Sequence, residues 1–279
     1  MFKVEFAGIN IFVREIFGKM KGIIMKREYS YGSVILVEII VAVFAFVLNR
    51  IFGSSADENI IYNVLSSVIT WLGSFIIASG LINNRKGSVG DYLNQLQRLD
   101  KKAIIVNLIL IFITIVLTFS FGKIGVFDVE SKKLNLLSLS VLGTLLLGIL
   151  SIFTAYANHI VSDPRNKDQS IMDALKSVFA IGIKLFGKTI SLYLLYIVLP
   201  IILIFGIIIG ISVGTRSPES GIGIIILGGG LLGLYYILIS PLVSARLADN
   251  YLNLTGDIDQ EIEKENTENN NEFTITRNI

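Results

Sequence analysis

The chain has 279 residues, 53% of them hydrophobic and 16% charged, with a mean hydropathy of +0.70 and a net charge of +2. A soluble domain carries about 25% charged residues, so the composition excludes an ordinary soluble fold and suits a bilayer, where a charge at mid-depth costs about 2.5–3.5 kcal/mol on insertion scales. The near-neutral balance gives no reason to expect nucleic acid as a partner. With no Cys there is no disulfide, thiolate nucleophile or cysteine–metal site, and one His cannot build a conventional zinc centre.

Residues 2–24 place Phe2, Phe6, Ile9, Val13, Ile16, Phe17, Met20 and Ile24 at steps of three and four, with Lys3, Arg14 and Lys21 elsewhere on the wheel. That pattern predicts an amphipathic helix on the membrane surface, drawn to anionic lipid headgroups. Charges interrupt this segment throughout, so it does not read as a cleavable signal. Ser33 to Phe52 is long enough, at about 1.5 Å per residue, to cross a hydrocarbon core of about 30 Å. Glu38 lies inside that span. An ionisable group there is a functional candidate by default, although so near the span's end it could also reach headgroups or pair with Lys26 or Arg27.

Ile60 to Ile82 is the second span, and its mid-length Trp71 is expected to pack against a neighbouring helix. Asn83 to Lys102 reads as a second amphipathic segment, Ala103 to Phe121 as the third span and Leu136 to Ile160 as the fourth. Asn107 is expected to hydrogen-bond across helices. The segment from Ser170 to Lys188 is the third amphipathic piece, with Lys176, Lys184 and Lys188 stepping along one face. The sequence predicts that it lies on the surface and then turns into a fifth span, Thr189 to Val213, kinked at Pro200. Along that span Gly206, Gly210 and Gly214 repeat every four residues, the small-residue spacing that lets helices approach closely. Gly221 to Leu247 is the sixth span. The acidic, Asn-rich stretch beyond it reads as a solvated tail.

Lys and Arg gather before span one, between spans two and three, and between spans four and five. The positive-inside rule then puts both termini in the cytoplasm. The expected fold is all-α: a polytopic membrane protein of six transmembrane helices with three amphipathic helices on the cytoplasmic side. Its units are an interfacial segment over residues 1–32, a membrane domain over 33–254 and a tail over 255–279. Asp91 and Asp173 open comparable stretches, which suggests a repeated hairpin.

Two motif spellings lack the context their chemistry needs. Residues 182–189 spell a P-loop, yet no strand precedes them, and residues 228–233 spell a dinucleotide fingerprint inside an apolar span. No Ser-His-Asp set and no paired intramembrane carboxylates are visible, so neither an enzyme nor a cofactor is expected.

The stretch AYANHIVSDPRNKDQSIMDALKSVFAIGIKLFGKTISLYLLYIVLP runs from a span through an Asp-Pro loop into a capped amphipathic helix, then through Gly187-Lys188 into another span. Over residues 150–250 this resembles the membrane domain associated with bacterial glycerophosphodiester phosphodiesterases and related six-helix bacterial membrane proteins. The resemblance implies a standalone module in the bacterial cell membrane, since the hydrolase domain has no counterpart here. The surface helices and six spans also resemble permease subunits of ABC-type exporters, which would imply an ATPase subunit as partner. The reading that follows is a non-enzymatic membrane module, a scaffold or part of a transport system, whose surroundings are the bilayer and anionic headgroups. An exporter permease is the alternative.

Overall fold

A computed structural model describes residues 27–53, 59–121, 127–128, 133–134, 139–214 and 218–258. The interfacial segment expected over residues 2–24 lies outside them, as does most of the tail. Among the described residues six helical stretches are long and apolar enough to cross a membrane, and the fold is all-α. In chain order the helices are α1 (Tyr31–Phe52), α2 (Ile60–Asn83), a short α3 (Val89–Leu93), α4 (Lys101–Phe121), α5 (Leu139–Thr154), α6 (Ala157–Ser162), α7 (Ile171–Tyr193), α8 (Leu199–Gly214) and α9 (Pro218–Thr255). The polar loop after α4 holds a two-residue antiparallel ladder that pairs Phe127 with Leu134.

Helix starts follow side-chain chemistry. Asn59 accepts from the backbone N–H groups of Ile61 and Tyr62 at the head of α2. Ser88 and Ser170 each accept from the N–H of an Asp three residues on, Asp91 at 3.3 Å and Asp173 at 3.2 Å, so the two stretches paired in the repeat hypothesis open with the same cap. At the end of α9, Gly256 adopts φ 89° and its N–H bonds the carbonyl of Leu252 at 2.8 Å. Only glycine enters that region without strain, so the helix stops there.

α2 is the central helix: 56% of an 18-residue apolar window within it is buried, against 11% of the corresponding window within Ile171–Gly210. The core lies at one end of the bundle. Val34 and Val37 of α1, Phe75 and Leu81 of α2, Val106 of α4, Ile160 of α6, Val178 of α7 and Tyr251 of α9 meet there. Toward the other ends of α1, α2 and α4, and along α8, Ile51, Ile60, Phe112 and Ile207 stay exposed. Exposed apolar side chains along spanning helices suit contact with lipid, which is itself apolar.

Close approaches set the packing. A Cβ on Gly182 of α7 would lie 2.1 Å from the carbonyl oxygen of Phe153 in α5, and one on Gly80 would lie 2.4 Å from the ring of Tyr92. The P-loop spelling is thus unbroken helix whose first glycine makes a crossing. A Cβ on Gly228 would meet Ile208 at 2.2 Å, whereas Gly206 and Gly210 have open space around them. Within the described side chains, then, the glycine of the fingerprint spelling makes the α8–α9 crossing, and Gly206 and Gly210 make none. The side-chain surroundings of Gly214 lie outside the description.

Three local expectations change. The chain does not turn at Thr189. It stays helical from Ile171 through Gly210, with one wide π turn at Leu194–Val198. Thr189 is fully buried and is held by the Leu185 carbonyl at 3.0 Å and the Tyr156 hydroxyl at 2.7 Å. Its side chain packs inward, which leaves nothing there to break the helix. Asn107 bonds the Ala103 carbonyl of its own helix at 3.0 Å, and among the described residues it bonds no neighbouring helix. The tail's first residues are held too, since Ile258 is buried and Asp257 binds Arg27.

Candidate functional site

Beyond the packed core, α1, α2, α5, α6, α7 and α9 enclose a cavity of about 560 Å³. Its walls include Ile39, Val41, Ala42, Ile77, Leu81 and Leu247; its polar groups include Glu38, Thr70, Ser74, Asn158, His159, Ser240 and Ser244. Ala42, Thr70, Ser74 and Tyr236 are exposed, so the cavity has a mouth on the bundle surface. Gly73 keeps α1 and α2 close at this point, because a Cβ there would meet Val41 at 2.4 Å.

Glu38 faces inward from α1, and its Oε1 accepts from the Ser240 hydroxyl of α9 at 2.7 Å. Arg27, one of the partners expected for it, is engaged elsewhere: with Asp257 at 2.6 Å, with Asn253 at 2.9 Å and with Asp249 at 3.7 Å. Trp71 packs inward as expected and donates from its indole N–H to Asn158 Oδ1 at 3.2 Å. That bond fixes Asn158 at the cavity wall.

His159 is the residue whose surroundings the sequence did not reveal. It is 4% exposed and held between Tyr156 and Tyr251, with ring centroids 5.9 and 5.7 Å away. Neither ring nitrogen has a hydrogen-bond partner among the described residues. Asp163, its neighbour in sequence, is taken by the guanidinium of Arg165 at 2.6 Å and the hydroxyl of Tyr251 at 2.8 Å. A buried polar group is nearly always hydrogen-bonded in a folded protein, so an imidazole at a cavity wall with no partner among the described residues marks a place where a polar group from outside them fits.

A polar cluster closes the end of the bundle behind the cavity. Arg85 pairs with Asp249 at 2.6 Å, and Arg165 donates to the Thr255 carbonyl at 2.8 Å. Lys102 caps the carbonyls of Asn166 and Lys167. Tyr92 donates to the Arg85 carbonyl at 3.0 Å, and burial pushes its phenol up to about 12. These bonds tie the approach to α1, the α2–α3 loop, the start of α4, the α6–α7 loop and the end of α9 into one unit. The basic side chains that suggested the topology are, at Arg27, Arg85, Lys102 and Arg165, parts of this unit. Lys176, Lys184 and Lys188 are exposed along α7, and Lys176 lies 3.5 Å from Asp173.

Pro200 does not line the cavity. In an unbroken α-helix it would leave the Tyr196 carbonyl without its partner. Here the Leu199 N–H bonds the Leu194 carbonyl, five residues back, and the Tyr196 carbonyl accepts from the Tyr235 hydroxyl of α9 at 2.7 Å.

No protein-family model, curated protein or solved structure matches this chain. Among the described residues no three His, Asp or Glu side chains converge as a metal-binding set.

Proposed function

We propose that this protein is a membrane-embedded binding module, associated with transport, that admits a small hydrophobic or amphipathic molecule into the space between α1, α2, α6, α7 and α9. The observation that carries the reading is the cavity itself. Its volume of about 560 Å³ falls among small-molecule sites, which run from about 300 to 1,000 Å³ and combine apolar walls with a few placed polar groups. Glu38, Ser240 and His159 are such groups, and ionisable residues within a membrane span are functional candidates by default. The role is binding and passage, without catalysis. The basic end faces the cytoplasm in this reading, and Lys176, Lys184 and Lys188 rest against anionic headgroups. The exporter-permease alternative rests on topology alone.

The test is to fill the space. Ala42→Trp and Ser74→Trp place an indole at the mouth from exposed positions, where the fold has room for it. Binding of an uncharged hydrophobic fluorophore to the purified protein should be saturable and should fall at least about tenfold in both variants. Unchanged binding in variants that remain monodisperse would remove the cavity from the account.

A further inference from the structure

We propose that the ligand is a lipophilic organic cation, an ammonium or phosphonium centre on an apolar body, with Glu38 as its counter-charge. This deepens the binding reading above and rests on it. Among the described residues that line the cavity, Glu38 is the one carboxylic acid, and no Lys or Arg lines it. In an apolar surrounding a carboxylate is costly until a cation or a full set of hydrogen bonds compensates it. Ser240 supplies one bond, to Oε1. An anionic group brought into the same space would meet Glu38 with no cationic wall residue to offset the repulsion, which low dielectric strengthens.

Two further features point the same way. Tyr193 and the exposed Tyr236 are among the residues that line the cavity, and aromatic side chains can attract a cation through their ring faces. His159 adds an imidazole, 4% exposed, whose nitrogens have no partner among the described residues; a neutral imidazole offers one acceptor to an N–H of an ammonium head. The nearby guanidinium of Arg85 does not cancel this preference, because Asp249 pairs with it at 2.6 Å. The site therefore differs in sign from the lysine row on α7: anionic headgroups suit that row, and cations suit the cavity.

The experiment compares three probes of similar shape on the full chain in nanodiscs of zwitterionic lipid: tetraphenylphosphonium, tetraphenylborate and uncharged triphenylphosphine oxide. Saturable binding of the phosphonium, with the borate at least about tenfold weaker, is expected. Glu38→Gln should lower phosphonium affinity about tenfold or more, and lower it by more than it changes binding of the oxide. Equal binding of phosphonium and borate, or a Glu38→Gln variant that binds the cation as before, overturns the proposal. If all three probes bind alike, the cavity is a binding site and only its charge preference fails. If none binds, both readings fail. Should Glu38→Gln not be recovered as a folded protein, the phosphonium–borate comparison on the unaltered chain decides.

Discussion

At the scale of single residues, His159 gives the sharpest test of what the site is for. A buried side chain with unpaired polar atoms is less favourable than an apolar one of the same shape, by about 1–3 kcal/mol for each unsatisfied group. His159→Phe keeps a ring between Tyr156 and Tyr251 and removes both orphaned nitrogens. The variant should melt at a higher temperature than the unaltered protein while binding ligand less well. A lower melting temperature would mean that the imidazole is already satisfied in the empty protein. Gly182 makes the opposite prediction. Any side chain there must displace the backbone of Phe153, since even a Cβ would lie 2.1 Å from its carbonyl. Gly182→Leu should lower stability by about 3 kcal/mol or more, beyond the usual range for an overpacked core, because backbone yields less than a side chain; a melt in detergent reads it.

The Asp91 carboxyl is held below the usual carboxylate range first by the Ser88 hydroxyl and then by the Ser88 N–H, both 2.7 Å from Oδ2. A depressed carboxyl contributes stability above its unfolded pKa and loses it as pH falls through the folded value. The cap of α3 should therefore loosen below about pH 4, seen as lower amide-exchange protection over residues 89–93 relative to the intrinsic rate at the same pH. Ser88→Ala, which removes the hydroxyl and keeps the N–H, should weaken the acid dependence of that protection without abolishing it.

At the scale of elements, the π turn explains how one long helix tolerates Pro200. If the Tyr235 hydroxyl satisfies a carbonyl that the proline would strand, Tyr235→Phe should cost about 1 kcal/mol. In a Pro200→Ala background, where the chain supplies its own N–H, the loss should shrink toward zero. A double-mutant cycle in melting experiments measures the difference, and equal losses in both backgrounds would separate Tyr235 from the proline. The sequence made Pro200 conspicuous but could not show the outcome, because the compensating hydroxyl comes from a residue 39 positions away in sequence. The same reason separates the legible from the illegible elsewhere. The six spans could be read because each is a local run of apolar residues, and burial of Trp71 followed from its place within one. Glu38 could be singled out for its type, yet its partner Ser240 lies on the last span. His159 gave no local signal that its nitrogens would be left alone. The absence of a turn at Thr189 was hidden because surface and spanning helices share one backbone period; in the fold the helix runs on, with Thr189 bonded to Tyr156 of the neighbouring segment.

At the scale of the whole molecule, packing is uneven along the bundle axis, and this bears on both stability and orientation. The buried core and the polar cluster share one end; exposed apolar side chains hold the other. Asp249 is central to the cluster, with a side chain 6% exposed and two guanidinium groups beside it, Arg85 at 2.6 Å and Arg27 at 3.7 Å. Asp249→Asn keeps the shape and leaves Arg85 uncompensated, so it should destabilise by about 3 kcal/mol. Because the cluster joins five separate stretches of chain, the start of α4 among them through Lys102, that loss should open the whole basic end rather than one loop.

The same asymmetry gives a direct test of topology. The chain lacks Cys, so one introduced thiol is the only one present. Lys167 is exposed in the α6–α7 loop, and Ile60 is exposed at the start of α2. An odd number of spans separates them, so they must lie on opposite faces of the membrane. An impermeant maleimide added to intact cells should label Ile60→Cys and leave Lys167→Cys untouched until the membrane is opened. The reverse pattern would keep the six spans and invert the molecule, placing the basic end outside against the charge bias. Labelling of both thiols from one side would be more damaging. It would require an even number of crossings between α2 and the α6–α7 loop, and so one of the helices α2, α4 or α5 would have to lie along the bilayer instead of through it.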